Sequence, residues 1–275
     1  MKTRYFPAFV FAATVSSSAF ADFLIDGINK TTWESSVPGV YSVIEDQTGG
    51  PNTLLNPGYG GQDYDAEAMY AAYRDGKLFI ALVTGHNPLT PDNPSGNVFA
   101  AGDFALDFGR NGSFDLGINV VNNFTGGVLG GVYKNPEWAY GLWDASGNEV
   151  SLGSAAAYRA HPTSLTGGDR IGQVASSNYT TTDVTGYGAY QGDKHFFYEI
   201  SLDLSLLYHA GWDGYAFDIH WTQNCANDNI LLAVGADVPE PGSLALLGIG
   251  MIGLLGGGLR RRSLRLRQEH LQQAV

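Results

Sequence analysis

The fold of this chain is decided by residues 63–84, which read DYDAEAMYAAYRDGKLFIALVT. Asp75-Gly76 is the dipeptide typical of a two-residue type I′ hairpin turn, because both central residues of that turn need a positive φ. The arm after the turn is a nearly continuous apolar run, as expected for a buried strand. The alanines of the first arm would also suit a helix, but the turn favours a strand. The stretch therefore predicts an antiparallel β-hairpin.

A second segment alternates with the period of a strand, so that Phe104, Leu106 and Phe108 share one face and Asp103 and Asp107 share the other. Glycine, at 37 of 275 residues, separates aromatic and β-branched segments in the manner of many short strands. Further elements are expected at Phe114–Val121, Gly131–Lys134, Ala139–Trp143, Phe196–Leu202, Tyr215–Thr222 and Ile230–Val234 as strands, and at Asp203–Leu207 as a short helix. The sequence predicts an all-β fold, an antiparallel β-sandwich of the jelly-roll kind.

The N-terminal segment has the features of a secretory signal peptide, which implies the Sec translocon as a partner. Lys2 and Arg4 form a positive region, a short apolar stretch follows, and Ala19 and Ala21 give the small-x-small pattern of a cleavage site. An uncleaved anchor is the alternative, but the apolar stretch is short for a membrane span. We expect residues 1–21 to be removed.

Three elements follow one another in order near the C-terminus: Pro239-Glu240-Pro241, the uncharged run Leu244–Leu259, and Arg260-Arg261-Arg262. As a helix, the run would span about 24 Å, somewhat less than a hydrocarbon core of about 30 Å. Bilayer thinning or snorkelling arginines can absorb this shortfall. We expect a single transmembrane helix whose arginines, and the basic tail at residues 263–275, stay in the cytoplasm.

This order of elements resembles the PEP-CTERM sorting signal of Gram-negative bacteria and places that signal at residues 238–262. The tail after the arginines is longer than is usual in the family. The resemblance implies that an exosortase, an integral-membrane enzyme, recognises the signal and processes the protein. It also implies a location in the inner membrane during transit and then at the cell surface or in the extracellular matrix.

Between the two signals lies an extracytoplasmic body, residues 22–237, which is long enough for one all-β domain. Residues 22–241 contain 26 acidic and eight basic side chains, a net charge of about −18. Such a surface repels nucleic acid, so binding to DNA or RNA is not expected. Cys225 is the only cysteine, which rules out an intramolecular disulfide; the thiol is either a buried small hydrophobe or a reactive group.

Five carboxylates are candidate metal ligands. Asp63, Asp65 and Glu67 occupy alternate positions, so on a strand they would line one face about 6.6 Å apart. Asp103 and Asp107 form a further pair on one face of their strand. Because Ca²⁺ binds six to eight oxygens and clustered carboxylates are a usual source, the pattern indicates calcium. For Asp63, Asp65 and Glu67 the alternative is a solvated strand face. Asp103 and Asp107 could complete a metal site or be catalytic, but a solvated strand edge is the expected arrangement for this pair.

Trp138 and Trp143 bracket Tyr140 in a stretch interrupted by Gly and Pro, and these three rings are candidate platforms for sugars. Core packing is the alternative. The middle region also resembles the family-9 type of carbohydrate-binding β-sandwich module. The features that carry the resemblance are the Asp65-Ala66-Glu67-Ala68 strand with its Asp75-Gly76 hairpin, the strand Gly102–Asp107, and the pair Tyr198–Ile200 and Phe217–Ile219. This resemblance implies structural calcium and a sugar-binding face.

Catalytic motifs are missing from the sequence. It contains no Gly-x-Ser-x-Gly, no His-Glu-x-x-His, no P-loop and no dinucleotide fingerprint, and its many acids do not single out a glycosidase pair. We therefore expect a non-catalytic surface or matrix protein that binds polysaccharide with the help of calcium. The alternatives are an extracellular glycan-active enzyme and a purely structural matrix protein.

Overall fold

The computed structural model describes residues 39–45, 61–121, 124–140, 161–186, 190, 192–226 and 228–235. The signal peptide with Ala19 and Ala21, the sorting motif with its three arginines, and Trp143 lie outside these residues, as does the predicted helix at 244–259. Among the described residues, no helix has the length and apolarity that a membrane span requires.

In the part of the chain that the structure describes, eleven antiparallel strands form two sheets. The first sheet has the order β1 (Val40–Ile44), β2 (Ala66–Arg74), β3 (Lys77–Thr84), β9 (Phe196–Asp203) and β8 (Ser176–Tyr179). The second has the order β11 (Asn229–Val234), β10 (Phe217–Thr222), β4 (Phe104–Asp107), β5 (Leu116–Ile118), β6 (Gly131–Tyr140) and β7 (Pro162–Gln173). A short helix, α1 (Leu204–His209), follows β9. The predicted antiparallel β-sandwich is confirmed.

The predicted hairpin is formed by β2 and β3. Asp75 and Gly76 have φ values of 47° and 73°, and Arg74 pairs with Lys77 across the turn. Two consecutive positive φ values are those of a type I′ turn, which suits the right-handed twist of the strands it joins. Nearly all of β2 is buried. Its alanines are therefore explained by the need for small side chains in a densely packed strand, and they do not indicate a helix.

The main core lies between the two sheets. Its largest fully buried side chains include Trp221, Phe104, Phe217, Met69, Leu78, Ile80 and Leu82. Burying each aliphatic or aromatic side chain of this kind contributes roughly 1.5–3 kcal/mol. The indole N–H of Trp221 donates to the carbonyl of Gly102 at 3.0 Å, so the polar end of this ring is also satisfied. Cys225 is buried, which agrees with its interpretation as a small hydrophobic residue.

Two regions differ from the sequence prediction. The strands expected at Gly131–Lys134 and Ala139–Trp143 are parts of one strand, β6, which ends at Tyr140. Asn135 has a φ of 48°, and the register between β6 and β7 shifts beside it. These features indicate a β-bulge, which allows Pro136 to lie within the strand. Strands β7 and β8 have no predicted counterpart, because both are edge strands whose many exposed residues do not alternate.

The face of β4 opposite the core is buried and not solvated. Phe104 and Leu106 enter the core as predicted, but Asp103 and Ala105 are fully inaccessible and Asp107 is only 4% exposed. The carboxylate of Asp103 accepts backbone N–H groups from Val120 at 2.5 Å, Val121 at 3.3 Å and Leu165 at 2.8 Å. Its own N–H donates to the carbonyl of Thr163 at 2.8 Å. One side chain therefore joins β4, the end of β5 and β7.

Replacing Asp103 with alanine should lower the free energy of unfolding by about 3 kcal/mol or more, because three N–H groups would lose their acceptor at roughly 1–3 kcal/mol for each buried group. Urea unfolding measures the loss. Asp203→Ala is the matched control, since Asp203 is exposed and makes no side-chain capping bond to α1. Equal stability losses in the two variants would contradict the role of Asp103.

Candidate functional site

The structure does not assemble the five predicted calcium ligands into one site. Asp63 lies in a 3₁₀ turn, Gly61–Tyr64, and precedes β2, so it does not share a strand face with Asp65 and Glu67. Asp63 is exposed, whereas Asp65 and Glu67 are both 2% exposed, which also corrects the alternative of a solvated face. Among the described residues, no three His, Cys, Asp or Glu side chains come together as a metal site.

Asp103 and Asp107 bind backbone N–H groups. The carboxylate of Asp107 accepts from Gly109 at 3.1 Å, from Asn111 at 3.1 Å and from Gly112 at 2.6 Å, which closes the turn after β4. Burial raises the pKa of Asp103 to about 6, although its three N–H donors act in the opposite direction. The solvated edge expected for this pair is wrong. Calcium binding stays a prediction, and no cluster of metal ligands among the described residues supports it.

Glu67 belongs instead to a buried polar link between distant segments. Its Oε2 lies 2.8 Å from Nε2 of His195, and its Oε1 accepts from the side-chain amide of Gln62 at 2.6 Å. Nδ1 of His195 lies 3.2 Å from the carbonyl oxygen of Val184. This group ties the start of β2 to the segment that precedes β9. Sequence reasoning missed His195, since no short spacing connects it to Glu67.

Two more carboxylates meet beside this link. The backbone N–H of Glu45 donates to the carbonyl of Glu67 at 2.7 Å. Asp228 is fully buried, and its Oδ2 accepts the N–H of Ala66 at 2.7 Å. Burial, and next the charge of Asp228, raise the pKa of Glu45 to about 7. Glu45 is therefore a carboxyl group that holds its proton near neutral pH.

The protonation of Glu45 should make stability depend on pH. Because its pKa rises from 4.5 to about 7 on folding, its favourable contribution is complete below pH 4.5 and is lost as the pH rises through 7. Glu45→Gln, which keeps the neutral form, should raise the melting temperature above pH 7 and change it little below pH 4.5. Thermal melts across this range measure the effect.

Glu137→Gln is the matched control for Glu45→Gln, since Glu137 is an exposed glutamate. It shows how much the change from Glu to Gln by itself alters the melting temperature. A Glu45→Gln curve parallel to that of the control would mean that Glu45 titrates normally.

The sugar-platform candidates lie at an open cleft of about 430 Å³. Its lining consists of Gly112, Ser113, Phe114, Pro136, Glu137, Trp138 and Tyr140. Trp138 and Tyr140 are half-buried, so each is partly packed and partly available. The ring of Phe114 meets that of Trp138 edge-on, with centroids 6.3 Å apart and an interplanar angle of 71°. The structure thus brings together two of the three predicted rings, and adds Phe114.

The position of Trp138 depends on a glycine beneath it. A Cβ on Gly117 of β5 would lie 3.1 Å from Cη2 of Trp138 and 2.6 Å from Cδ2 of Leu165. Only a residue without a side chain lets the indole approach the sheet so closely. One edge of the indole is consequently held against β5, and the ring has little freedom to turn.

Two histidines lie behind Phe114. Its ring centroid is 5.7 Å from that of His220, which is 5.8 Å from that of His161. His220 is 2% exposed and His161 is partly buried. Because 58 residues separate the two histidines in the chain, no short sequence motif connects them, and the pairing of β10 with β4 brings His220 to this face.

A family model described as the PEP-CTERM protein-sorting motif matches residues 237–262. A search of curated proteins and a search of solved structures found no match. The resemblance predicted from Pro239-Glu240-Pro241, the apolar run and the arginines is confirmed, whereas the resemblance to carbohydrate-binding modules is not shown. The chain carries a PEP-CTERM sorting signal, which marks an exported protein that passes through the membrane, is processed by an exosortase-type enzyme and reaches the cell surface.

Proposed function

We propose that the β-sandwich is a non-catalytic module of the cell surface or extracellular matrix of a Gram-negative bacterium, and that it binds polysaccharide in the aromatic cleft. The observation that carries this proposal is the cleft with Trp138 and Tyr140 at its edge, on a protein sorted to the surface. We further propose that the signal peptide and the Sec translocon start the export route.

The lining of the cleft suits a sugar. Aromatic rings pack against the C–H faces of pyranose rings, and a few polar groups beside them fix the orientation of the ligand. Trp138, Tyr140 and Phe114 supply the rings, and Ser113 and Glu137 supply polar groups. Because Trp138 is held against β5, binding would require little ordering of this side chain.

The negative charge of the protein limits the kinds of polysaccharide that we expect it to bind. Residues 22–241 carry a net charge of about −18, and Glu137 is one of the groups that line the cleft. A polymer rich in carboxylate or sulfate would be repelled by this surface. We therefore propose a neutral or amino-sugar polymer as the ligand.

The number of acidic residues at the cleft favours binding over catalysis. Most glycosidases use two carboxyl groups on either side of the scissile bond, about 5–9.5 Å apart. Among the described residues that line the cleft, Glu137 is the one acid. The runner-up is a glycan-active enzyme, which would need a second acid from elsewhere. A purely structural matrix protein is the third possibility, in which the exposed rings would bind nothing.

Tyr140→Ala should weaken retention on neutral or amino-sugar polysaccharide about tenfold, the loss expected when roughly 1.4 kcal/mol of ring contact is removed. Affinity electrophoresis measures it. Tyr215→Ala is the matched control, because Tyr215 is 68% exposed and lies away from the cleft on the connection from α1 to β10. Trp138→Phe, which keeps a ring, should retain part of the binding.

Three results would argue against a non-catalytic polysaccharide-binding cleft. Equal retention of Tyr140→Ala and Tyr215→Ala would show that the cleft does not bind the polymer. Release of shortened oligosaccharides, abolished by Glu137→Gln, would favour the enzyme. No retention of the unsubstituted protein by any polymer would favour the structural alternative.

Replacing Pro239, Glu240 and Pro241 with alanine should leave unprocessed protein in the inner membrane, because the processing enzyme would lose its recognition sequence. Membrane fractionation and immunoblotting measure this. The matched control replaces Gln268, Glu269 and His270 with alanine, a triplet that also has a central glutamate but lies after the motif. Normal processing of the first variant would contradict the role of the motif.

A further inference from the structure

Four ring nitrogens behind the aromatic cleft are buried without a hydrogen-bond partner. They are Nδ1 and Nε2 of His220, Nδ1 of His161 and Nε1 of Trp138. Buried polar groups in folded proteins nearly always have a partner, so a group of unsatisfied nitrogens indicates something that fills the space. The concentration of these nitrogens around one ring, Phe114, sets this place apart.

The strand β10 directs the side chain of His220 toward the other unsatisfied nitrogens. On β10, Phe217, Ile219 and Trp221 point into the core between the sheets, so His220 points to the opposite face. There it meets the ring of Phe114 on one side and the ring of His161, at 5.8 Å and an interplanar angle of 46°, on the other. The two imidazole rings are thus neighbours, and His220 is closed to solvent.

Both imidazoles are in the form that binds metals. Burial, and next the neighbouring His161, lower the pKa of His220 to about 3, and burial lowers the pKa of His161. The two rings are therefore neutral at physiological pH, and their lone pairs are available. The imidazole lone pair suits Zn²⁺, Cu²⁺ and Ni²⁺ but not Ca²⁺, which prefers oxygen.

We propose that His161 and His220 together bind one transition-metal ion of the class that imidazole prefers. With metal–nitrogen bonds of about 2.0–2.1 Å, two imidazoles on one ion place their ring centres about 5–6 Å apart. The 5.8 Å separation of the two ring centres falls within this range. Such an ion would satisfy one nitrogen of each histidine.

The site is a two-histidine site. No third His, Cys, Asp or Glu joins the pair within the part of the chain that the structure describes. Water, or an oxygen of a ligand in the cleft, would fill the remaining positions. Phe114 lines the cleft and also packs on His220, so the histidine pair lies next to a residue of the cleft. The proposal goes beyond polysaccharide binding and does not depend on it.

The test uses the untagged full chain in detergent, stripped with a chelator and titrated with Zn²⁺, Cu²⁺, Ni²⁺ and Ca²⁺ by calorimetry. We expect one ion of Zn²⁺, Cu²⁺ or Ni²⁺ per chain, a higher melting temperature in its presence, and no binding of Ca²⁺ at this site. His161→Gln should abolish the binding. Because His161 is only partly buried, this variant should fold, whereas His220→Gln changes a fully enclosed side chain.

His209→Gln and His270→Gln are the controls. His209 is exposed at the end of α1, and His270 lies in the tail after the sorting motif. Both should keep the full stoichiometry. A stripped protein that takes up none of the three ions would overturn the proposal and leave the nitrogens to buried water. Unchanged binding to His161→Gln would overturn it as well.

Discussion

The carboxylate of Asp103 is the contact on which the second sheet depends. It accepts three backbone N–H groups, from Val120, Val121 and Leu165, in a place that water does not reach. Val120 and Val121 follow the end of β5, and Leu165 lies in β7. The neighbouring Gly102 allows the close approach, because a Cβ there would lie 1.9 Å from the carbonyl oxygen of Thr222. These two residues bring β7 close to the start of β4.

The cleft and the histidine pair depend on the same region. Leu165, which Asp103 holds through its N–H, packs against Gly117 beside Trp138. The bulge at Asn135 turns β6 so that Trp138 lies over β5. Both sites therefore lie on the face of the second sheet that is opposite the main core.

Sequence patterns predict the parts of this fold in which neighbouring residues carry the information. Asp75-Gly76 predicts the turn, and the alternation around Phe104 and Leu106 predicts which side of β4 enters the core. The same alternation wrongly suggests that Asp103 is solvated, because it cannot show that a second layer covers the sheet. The Glu67–His195 and His161–His220 contacts join residues far apart in the chain, so no local pattern could reveal them. The sorting motif was predictable because its three elements act in sequence order.

The sandwich and the sorting signal are separate units along the chain. Arg110, in the turn after β4, donates to the carbonyls of Phe217 and Val234 at 3.3 and 3.2 Å. It also pairs with Asp218 at 2.9 Å. These contacts connect the end of β11 to β10 and to the turn after β4. The sorting motif matches from residue 237, beyond the last residue of β11. Removal of the signal would leave every described strand with its hydrogen-bond partners. The residues that line the cleft and form the histidine pair all precede residue 237, so processing at the sorting signal removes none of them.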